Sequence, residues 1–287
     1  MNDYLLSTIL GVIEGLTEFL PVSSTAHLRI SEAILGVNLG DGYWKMFSIV
    51  IQLGAILCLP IYFWNRITSF LATYPAGKKG DKTAITHPLA LTLIAFVFTS
   101  ATSLPLVKLI GKNLESLYVM GSALLIGGVV MWIVDAIYGS HKGAAFEVAA
   151  AEEVERMTVP QAIWIGLCQT LAPVFPGTSR SMATIAAGQI SGLSRTAALE
   201  FSFLLSIPTM AAATGYDLLK ALKGPDSVHI DSHGWVLLAI GFVISFVVAY
   251  AVVAWFMNWV RNRGFTPFAV YRILAGAAVL VWAIQKR

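Results

Sequence analysis

Residues 234–260 read GWVLLAIGFVISFVVAYAVVAWFMNWV, a run without a single Asp, Glu, Lys, Arg or His. A helix that crosses a bilayer needs ~20 mostly apolar residues, so this run predicts a transmembrane helix. Four other stretches meet the same criterion: residues 46–64, 88–107, 117–137 and 267–284. A sixth span, residues 197–216, carries Glu200 near its start.

The composition of the whole chain agrees with a membrane protein. Of its 287 residues, 12% are charged and 57% are hydrophobic, and the mean hydropathy is +0.74. A soluble domain has about 25% charged residues, so this chain cannot cover a compact globule with polar surface. The net charge is only +3 and the basic residues are scattered along the chain, which argues against a nucleic-acid partner. We expect an all-α integral membrane protein with about six transmembrane helices.

Three further apolar stretches are too short or too polar to be simple spans: residues 4–20, 159–175 and 182–193. Each is interrupted by Pro, Gly or ionisable residues. Broken backbone at membrane depth is tolerated only where it is packed inside protein or lines a wet cavity. These stretches therefore predict re-entrant helical hairpins. The stretch Gly143–Met157, rich in Ala and Glu, predicts a short solvated helix.

An internal repeat links two of the broken stretches. Residues 10–24 read LGVIEGLTEFLPVSS and residues 165–179 read IGLCQTLAPVFPGTS. At an offset of 155, Gly11 aligns with Gly166, Glu14 with Gln169, Pro21 with Pro176 and Ser24 with Ser179, and at an offset of 154 Phe47-Ser48 aligns with Phe201-Ser202. The pattern predicts one polytopic domain with repeat halves at approximately 1–140 and 158–287. Paired broken segments point to a central site, and an odd number of spans between them predicts an inverted repeat whose two turns meet.

Charge in the loops indicates an orientation. The loop from Asn65 to His87 contains Arg66, Lys78, Lys79 and Lys82, and the positive-inside rule places it in the cytoplasm. Alternating outward from this loop puts both termini outside. The resulting count is nine Lys and Arg inside against eight outside, so charge favours this orientation only narrowly.

Two glutamates precede the first turn. Glu14 and Glu18 are four residues apart and share one helix face, where like charges repel and where each charge in a membrane costs a few kcal/mol or more. A bound divalent cation or a shared proton would stabilise them, and Mg²⁺ and Ca²⁺ prefer carboxylate oxygens. The alternative is that one glutamate is neutral and caps a neighbouring helix.

Hydroxyl groups and a histidine follow Pro21, which ends the first helix. Ser23, Ser24 and Thr25 form a hydroxyl-rich turn, for which simple N-capping is the plainer interpretation. His27 follows Ser24 by three residues, so the two side chains could face each other across one helical turn. A serine becomes a good nucleophile only beside a base such as histidine.

The second turn, PGTSRSMAT at residues 176–184, has the character of an anion site. A glycine-containing loop that leads into a helix offers backbone N–H groups to an anion, and Arg180 adds a fork suited to phosphate oxygens. The partner of Arg180 is either Glu14 or Glu18, or a ligand phosphate. Carboxylates, hydroxyls and an anion cradle together indicate phosphoryl transfer or hydrolysis. The chain lacks the P-loop pattern, which argues against an NTPase.

At these residues the sequence resembles a known family. EGLTEFLPVSSTAH at 14–27 and PGTSRSMAT at 176–184 resemble the two signatures of the undecaprenyl-diphosphatases, also called bacitracin-resistance proteins. EFSFLLSIP at 200–208 and FTPFAVYRI at 265–273 are similar to other family segments. The resemblance implies removal of the terminal phosphate of undecaprenyl diphosphate, which regenerates the lipid carrier for cell-wall polymers. It also implies an inner-membrane protein whose site opens to the outer face, dependence on a divalent cation, and bacitracin resistance.

The resemblance also suggests a role for each site residue. Glu14 and Glu18 would hold Mg²⁺ or Ca²⁺, Ser24 would be the nucleophile with His27 as its base, and Arg180 would clamp the diphosphate. Further substrate contacts would come from Ser23, Thr25, Gly177, Thr178, Ser179, Ser181 and Thr184. An equally serious alternative has His27 or a glutamate activating water for direct attack. Ala26 and Met182 depart from the family pattern, which commonly has glycine at both positions.

The expected partner is a polyprenyl diphosphate lipid, with bacitracin competing indirectly by binding that lipid; a homodimer is left open. The rival interpretation is a transporter for polyprenyl phosphates, because inverted repeats with broken helices are typical of secondary transporters. Transport alone needs no nucleophile, so the Glu-Glu-Ser-His cluster favours an enzyme.

Overall fold

A computed structural model describes residues 2–37, 42–110, 116–139, 153–223 and 230–285. Within these ranges the structure is helical and has no strand. The helices are α1 (Asp3–Thr17), α2 (Ser24–Ile34), α3 (Gly42–Ile56), α4 (Cys58–Tyr62), α5 (Trp64–Thr73), α6 (Pro88–Ile110), α7 (Leu117–Tyr138), α8 (Val159–Gln169), α9 (Leu171–Val174), α10 (Arg180–Ile190), α11 (Arg195–Lys223), α12 (Ser232–Arg263) and α13 (Thr266–Gln285). Most of the predicted solvated helix, 143–157, lies outside the described residues.

Among the residues that the structure describes, six stretches are long and apolar enough to cross a membrane: Gly42–Tyr62, Pro88–Lys108, Leu117–Tyr138, Arg195–Lys223, Ser232–Arg263 and Thr266–Gln285. They confirm the prediction of an all-α multi-pass membrane protein. The first span is interrupted, since α3 ends at Ile56 and α4 begins at Cys58. Pro60 explains the break, because it has no N–H to donate to the Ile56 carbonyl and its ring clashes with that carbonyl.

The chain divides into two compact units that alternate along the sequence. The first unit comprises Met1–Phe19, Ser24–Phe63 and Ser206–Trp255. The second comprises Leu20–Ser23, Trp64–Leu205 and Phe256–Arg287. The repeat halves inferred from sequence concern similarity rather than compactness, and they remain a prediction.

In the first unit, small residues bring α1 close to α12. Gly11 and Gly15 lie one helical turn apart, and a Cβ at Gly11 would come within 2.9 Å of the Gly241 carbonyl oxygen. At Gly15 it would lie 2.7 Å from the Val248 Cβ. The Ser7 hydroxyl donates to the Leu237 carbonyl at 2.7 Å on the same side. This close packing, typical of membrane helices, fixes the helix that carries Glu14 and Glu18.

In the second unit, α7 and α13 also pack through glycines. A Cβ at Gly276 would lie 2.7 Å from the Gly121 carbonyl oxygen. At the start of α13, the buried Asp135 carboxylate accepts hydrogen bonds from the Phe265 N–H at 3.1 Å and from Arg195 Nε at 2.6 Å. The buried Asp135 carboxylate thus has a charged partner in Arg195 and a backbone donor at Phe265, and a buried charge is stable only with such partners.

The α8 helix packs on α6 without leaving space at Gly166, where an added Cβ would collide with the Ala95 backbone. The Thr99 hydroxyl donates to the Gly166 carbonyl at 2.7 Å and receives a hydrogen bond from Gln169 Nε2 at 3.0 Å. Gln169 aligns with Glu14 in the repeat, yet this contact gives it a part in helix packing.

Candidate active site

The first signature begins on the last turn of α1. Glu14 is fully buried and Glu18 is 6% exposed. Glu18 is the C-cap residue of α1, and its N–H donates to the Glu14 carbonyl at 2.9 Å. The backbone is therefore still helical at Glu18, so the two carboxylates project from the helix one turn apart, as the spacing predicted.

Glu18 and Ser24 are joined by a short hydrogen bond. The Ser24 hydroxyl donates to Glu18 Oε2 at 2.6 Å, and both side chains are buried. Hydrogen bonds to a charged acceptor are shorter and stronger than neutral ones. The sequence spacing predicts His27 as the neighbour of Ser24; His27 lies half-buried one turn further along α2, and the contact with Glu18 is an additional one that the spacing does not predict. Ser24 is the first residue of α2, so its side chain lies at the turn, next to the end of α1.

The two other hydroxyls of the first turn differ in exposure. Ser23 is buried and has a φ of 73°, whereas Thr25 is exposed on the first turn of α2. A non-glycine residue with positive φ is uncommon and such strain concentrates at functional sites. The helix α2 begins at the next residue, Ser24.

The second turn also contains a serine with a positive φ. Ser179 has a φ of 69°, and its hydroxyl caps α10 by accepting from the Met182 N–H at 3.4 Å. The preceding Gly177 has a φ of 101°, and a Cβ there would lie 2.5 Å from the Met120 carbonyl oxygen. Glycine is therefore required at Gly177 both by the backbone conformation and by the close approach of α7.

The backbone shifts the repeat by one residue at the turns. The sequence alignment pairs Ser24 with Ser179, whereas the strained conformation occurs at Ser23 and Ser179. The helices that follow begin at Ser24 and Arg180. By local geometry Ser24 thus corresponds to Arg180, so the two turns place different chemical groups, a hydroxyl and a guanidinium, at the same position.

Arg180 and Thr184 both contact α11 through Ser202. Arg180 Nη1 lies 3.5 Å from the Ser202 carbonyl oxygen, and the Thr184 and Ser202 hydroxyls are 2.6 Å apart. Ser202 was not among the predicted site residues, although its place in the repeat beside Ser48 was a signal. In the first half of the repeat, Ser48 makes the equivalent contact with the short helix α2, where its hydroxyl donates to Glu32 Oε1 at 2.7 Å.

A residue that the sequence did not assign to the site, Arg272, joins the two turns. Its side chain is fully buried and donates to four backbone carbonyl oxygens: Pro21 at 3.0 Å, Gly177 at 3.0 Å, Thr178 at 2.9 Å and Ala123 at 3.1 Å. The Ser181 hydroxyl adds a second link by donating to the Leu20 carbonyl at 3.0 Å. The predicted meeting of the two turns is therefore realised through these contacts.

Glu200 belongs to a different cluster. Arg66 donates from Nε to Glu200 at 2.8 Å and from Nη1 to Glu155 at 2.7 Å. This pairing satisfies the carboxylate that the sequence places near the start of the sixth predicted span, and its partner comes from the basic loop. We assign Glu200 to structure rather than to catalysis.

The donors available for a cation are few. In the ranges that the structure describes, no three His, Cys, Asp or Glu side chains gather closely enough to form a complete metal site. Glu14 and Glu18 offer two buried carboxylates on one helix face. Mg²⁺ is commonly held by one or two carboxylates together with substrate phosphates, so this donor set fits a cation that binds with a diphosphate.

Comparison with known proteins gives one consistent result. The family model described as bacitracin resistance protein BacA matches residues 7–278. An undecaprenyl-diphosphatase of Koribacter versatilis is 65% identical, with the full length of both chains covered. The undecaprenyl-diphosphatases of Rhizobium etli (strain CIAT 652) and Caldanaerobacter subterraneus are 40% and 37% identical, each over 97% of this chain.

Proposed function

Because the chain belongs to the bacitracin resistance protein BacA family, we propose that it hydrolyses undecaprenyl diphosphate to undecaprenyl phosphate and inorganic phosphate. The relatives that carry the name undecaprenyl-diphosphatase align with essentially its whole length. The product would serve as the lipid carrier for peptidoglycan synthesis, and abundant enzyme would confer bacitracin resistance.

The observation that carries the chemistry is the hydrogen bond from Ser24 to Glu18. A buried carboxylate that accepts the serine proton at 2.6 Å raises electron density on the hydroxyl oxygen and fixes its direction. A transport protein needs no such arrangement. The second turn supports the other half of the proposal, since α10 begins there at Arg180 and a helix N-terminus offers backbone N–H groups to an anion.

In the serine route, Glu18 accepts the Ser24 hydroxyl proton as Ser24 Oγ bonds to the terminal phosphorus, and the bond from that phosphorus to the bridging oxygen breaks. The bridging oxygen leaves with undecaprenyl phosphate and takes a proton from protonated His27. Water then attacks the phosphoserine and His27 accepts a proton from it. The bond between Ser24 Oγ and phosphorus breaks, Glu18 returns its proton to Oγ, and inorganic phosphate and free Ser24 result. Arg180 and the turn N–H groups neutralise charge on the equatorial oxygens.

In the water route, a water molecule replaces Ser24 as the attacking group, and His27 or a glutamate accepts its proton. Ser24 then only orients Glu18 through the 2.6 Å hydrogen bond. Both routes use the same two turns and give the same products.

The cation is also part of the proposal. Glu14 and Glu18 are the residues that would hold Mg²⁺ or Ca²⁺, directly or through water. A divalent cation, when bound there, supplies positive charge to the diphosphate oxygens.

A Ser24→Ala variant separates the two routes. We expect kcat to fall by about a hundredfold or more if Ser24 is the nucleophile, and His27→Ala to be severely impaired in either route. The control is Ser31→Ala, which removes a hydroxyl from the same helix outside the proposed site. Near-normal turnover by Ser24→Ala, measured as phosphate release, would eliminate the serine route.

The proposed function itself is tested by phosphate release from undecaprenyl diphosphate and farnesyl diphosphate. Purified protein in detergent is assayed with Mg²⁺ or Ca²⁺ and again after addition of EDTA. We expect release that depends on the cation. A transporter would release no phosphate in detergent, where no compartments exist, so absence of release from well-folded protein under either cation would refute the enzyme.

We further propose that the protein lies in the bacterial inner membrane with the site open to the outer face. The basic loop between Asn65 and His87 supports this orientation under the positive-inside rule. Bacitracin would compete indirectly by sequestering the lipid diphosphate, and the proposal allows for a homodimer.

A further inference from the structure

An apolar groove of about 620 Å³ lies in the second unit, between α7, the segment of α8 and α9, and α10. Its floor consists of small residues on two helices: Ala123, Gly127, Ala183, Ala186 and Ala187. On α10 the alanines are spaced three and four residues apart, so they share one face of the helix. A Cβ at Gly127 would collide with the Arg272 guanidinium and lie 2.8 Å from Met182 Cε, so the glycine allows close packing of α7 against its neighbours beside the groove.

The rim of the groove is apolar and exposed. Ile126, Leu171, Phe175 and Ile190 stand around it and are 60%, 47%, 41% and 42% exposed. None of the residues that line the groove is Asp, Glu, Lys, Arg or His. A cavity of this size, within the range of about 300–1,000 Å³ of ligand pockets, and without charge, suits a flexible hydrocarbon chain.

One end of the groove is part of the second signature turn. Thr178 lines the groove, and its carbonyl is held by Arg272 at 2.9 Å. The next residue, Ser179, caps α10. The groove then follows α10 from this turn to Ile190, a distance of about 15 Å at 1.5 Å per residue. The helix N-terminus and the groove are thus continuous, with polar groups at one end and hydrocarbon surface along the rest.

We infer that this groove binds the isoprenoid units of the substrate that lie next to the diphosphate. The inference rests on the proposed function, which places the diphosphate at the second turn. A lipid held at Thr178 by its head group would direct its chain along the alanine face of α10. The groove is large enough for only part of an undecaprenyl chain, so the distal units would remain in the bilayer. Met182, which stands where the family commonly has glycine, would narrow the groove beside the first units.

Filling the groove provides the test. Ala183→Leu and Ala187→Leu each add a side chain to the floor, and the control is Ala212→Leu, at an exposed position of α11 in the other unit. We expect kcat/KM for farnesyl diphosphate to fall by about tenfold or more, mainly through KM. The value for dimethylallyl diphosphate, which has a single isoprene unit, should change by less than about twofold. Equal losses with both substrates in folded variants would overturn the inference.

A binding experiment distinguishes failure of the groove from failure of the proposed function. A farnesyl diphosphate analogue with a diazirine on its terminal isoprene is photolysed with the unaltered protein, and adducts are located by mass spectrometry. We expect adducts on residues 183–190 or on the facing side of α7, and their loss when undecaprenyl diphosphate is added. If this labelling is found but no substrate releases phosphate, the groove would still be the binding site of the isoprenoid units, and the proposed hydrolysis would be refuted. Adducts confined to other helices would overturn the inference. So would a phospholipid that co-purifies in the groove and that undecaprenyl diphosphate does not displace.

Discussion

Replacement of Glu18 by glutamine is expected to lower kcat/KM for undecaprenyl diphosphate by about a thousandfold, within the range that removal of a catalytic proton or charge acceptor produces. Glutamine keeps the length of the side chain and an oxygen that can accept from Ser24. It removes the negative charge that strengthens the 2.6 Å hydrogen bond and one of the two carboxylates proposed to hold the cation.

A second readout separates loss of the cation ligand from general damage. The concentration of Mg²⁺ or Ca²⁺ needed for half-maximal activity should rise in Glu18→Gln, since a neutral amide is a weaker ligand for a hard cation. A merely structural role would leave that concentration unchanged.

The chain offers a closely matched control for this substitution. Glu32 is also buried in the first unit and also accepts from a serine hydroxyl, that of Ser48 at 2.7 Å. Glu32→Gln should therefore change kcat/KM by only a few-fold. Comparable losses in Glu18→Gln and Glu32→Gln would contradict a special role for Glu18, as would full activity of Glu18→Gln.

Arg272→Met is expected to produce the largest loss of stability together with loss of activity. The substitution leaves the carbonyls of Pro21, Ala123, Gly177 and Thr178 without the donor that the structure gives them. Each buried polar group left unsatisfied costs about 1–3 kcal/mol, so the midpoint of thermal unfolding in detergent should fall by about 10 °C or more. Both turns lose a common anchor, so phosphate release should fall as well.

Lysine and a distant arginine serve as comparisons for Arg272. Arg272→Lys keeps the charge, but a compact ammonium cannot reproduce the planar set of donors, so we expect an intermediate midpoint. Arg263→Met removes an exposed guanidinium that stacks on Trp259 at 5.1 Å, and it should leave both the midpoint and the activity nearly unchanged. An Arg272→Met protein with the unfolding midpoint and kcat/KM of the unaltered chain would refute the role of Arg272.

The sequence predicts the spans well because each depends on a local property, some twenty apolar residues in a row. The break between α3 and α4 follows from Pro60 and is equally local, although it was not anticipated within the span 46–64. The start of α10 at Arg180 rather than near residue 182 reflects the cap by Ser179, which depends on a strained backbone that composition does not reveal.

The sequence predicts candidate site residues on the two signatures, and their roles stay predictions; it does not predict every contact that these residues make. Ser24 bonds to Glu18 across a turn, whereas helical spacing alone suggested His27. Arg272 contacts carbonyls that are 94 to 251 residues away in sequence, and backbone acceptors leave no trace in residue identity. The only signal was the high cost of an arginine inside an apolar span, which predicts that a partner exists but not which one.

The contacts of Arg272 have a consequence for how the protein can change over evolutionary time. The guanidinium binds the main chain of both turns, and every residue type has the same carbonyl. Substitutions at Thr178 or Ala123 can therefore alter the chemistry or the width of the groove while the anchor of the two turns keeps its acceptors. With the lipid bound in the groove as proposed, selectivity for the lipid and anchoring of the two turns would be encoded by different atoms of the same residues. New substrate ranges can arise by single changes that leave the scaffold intact.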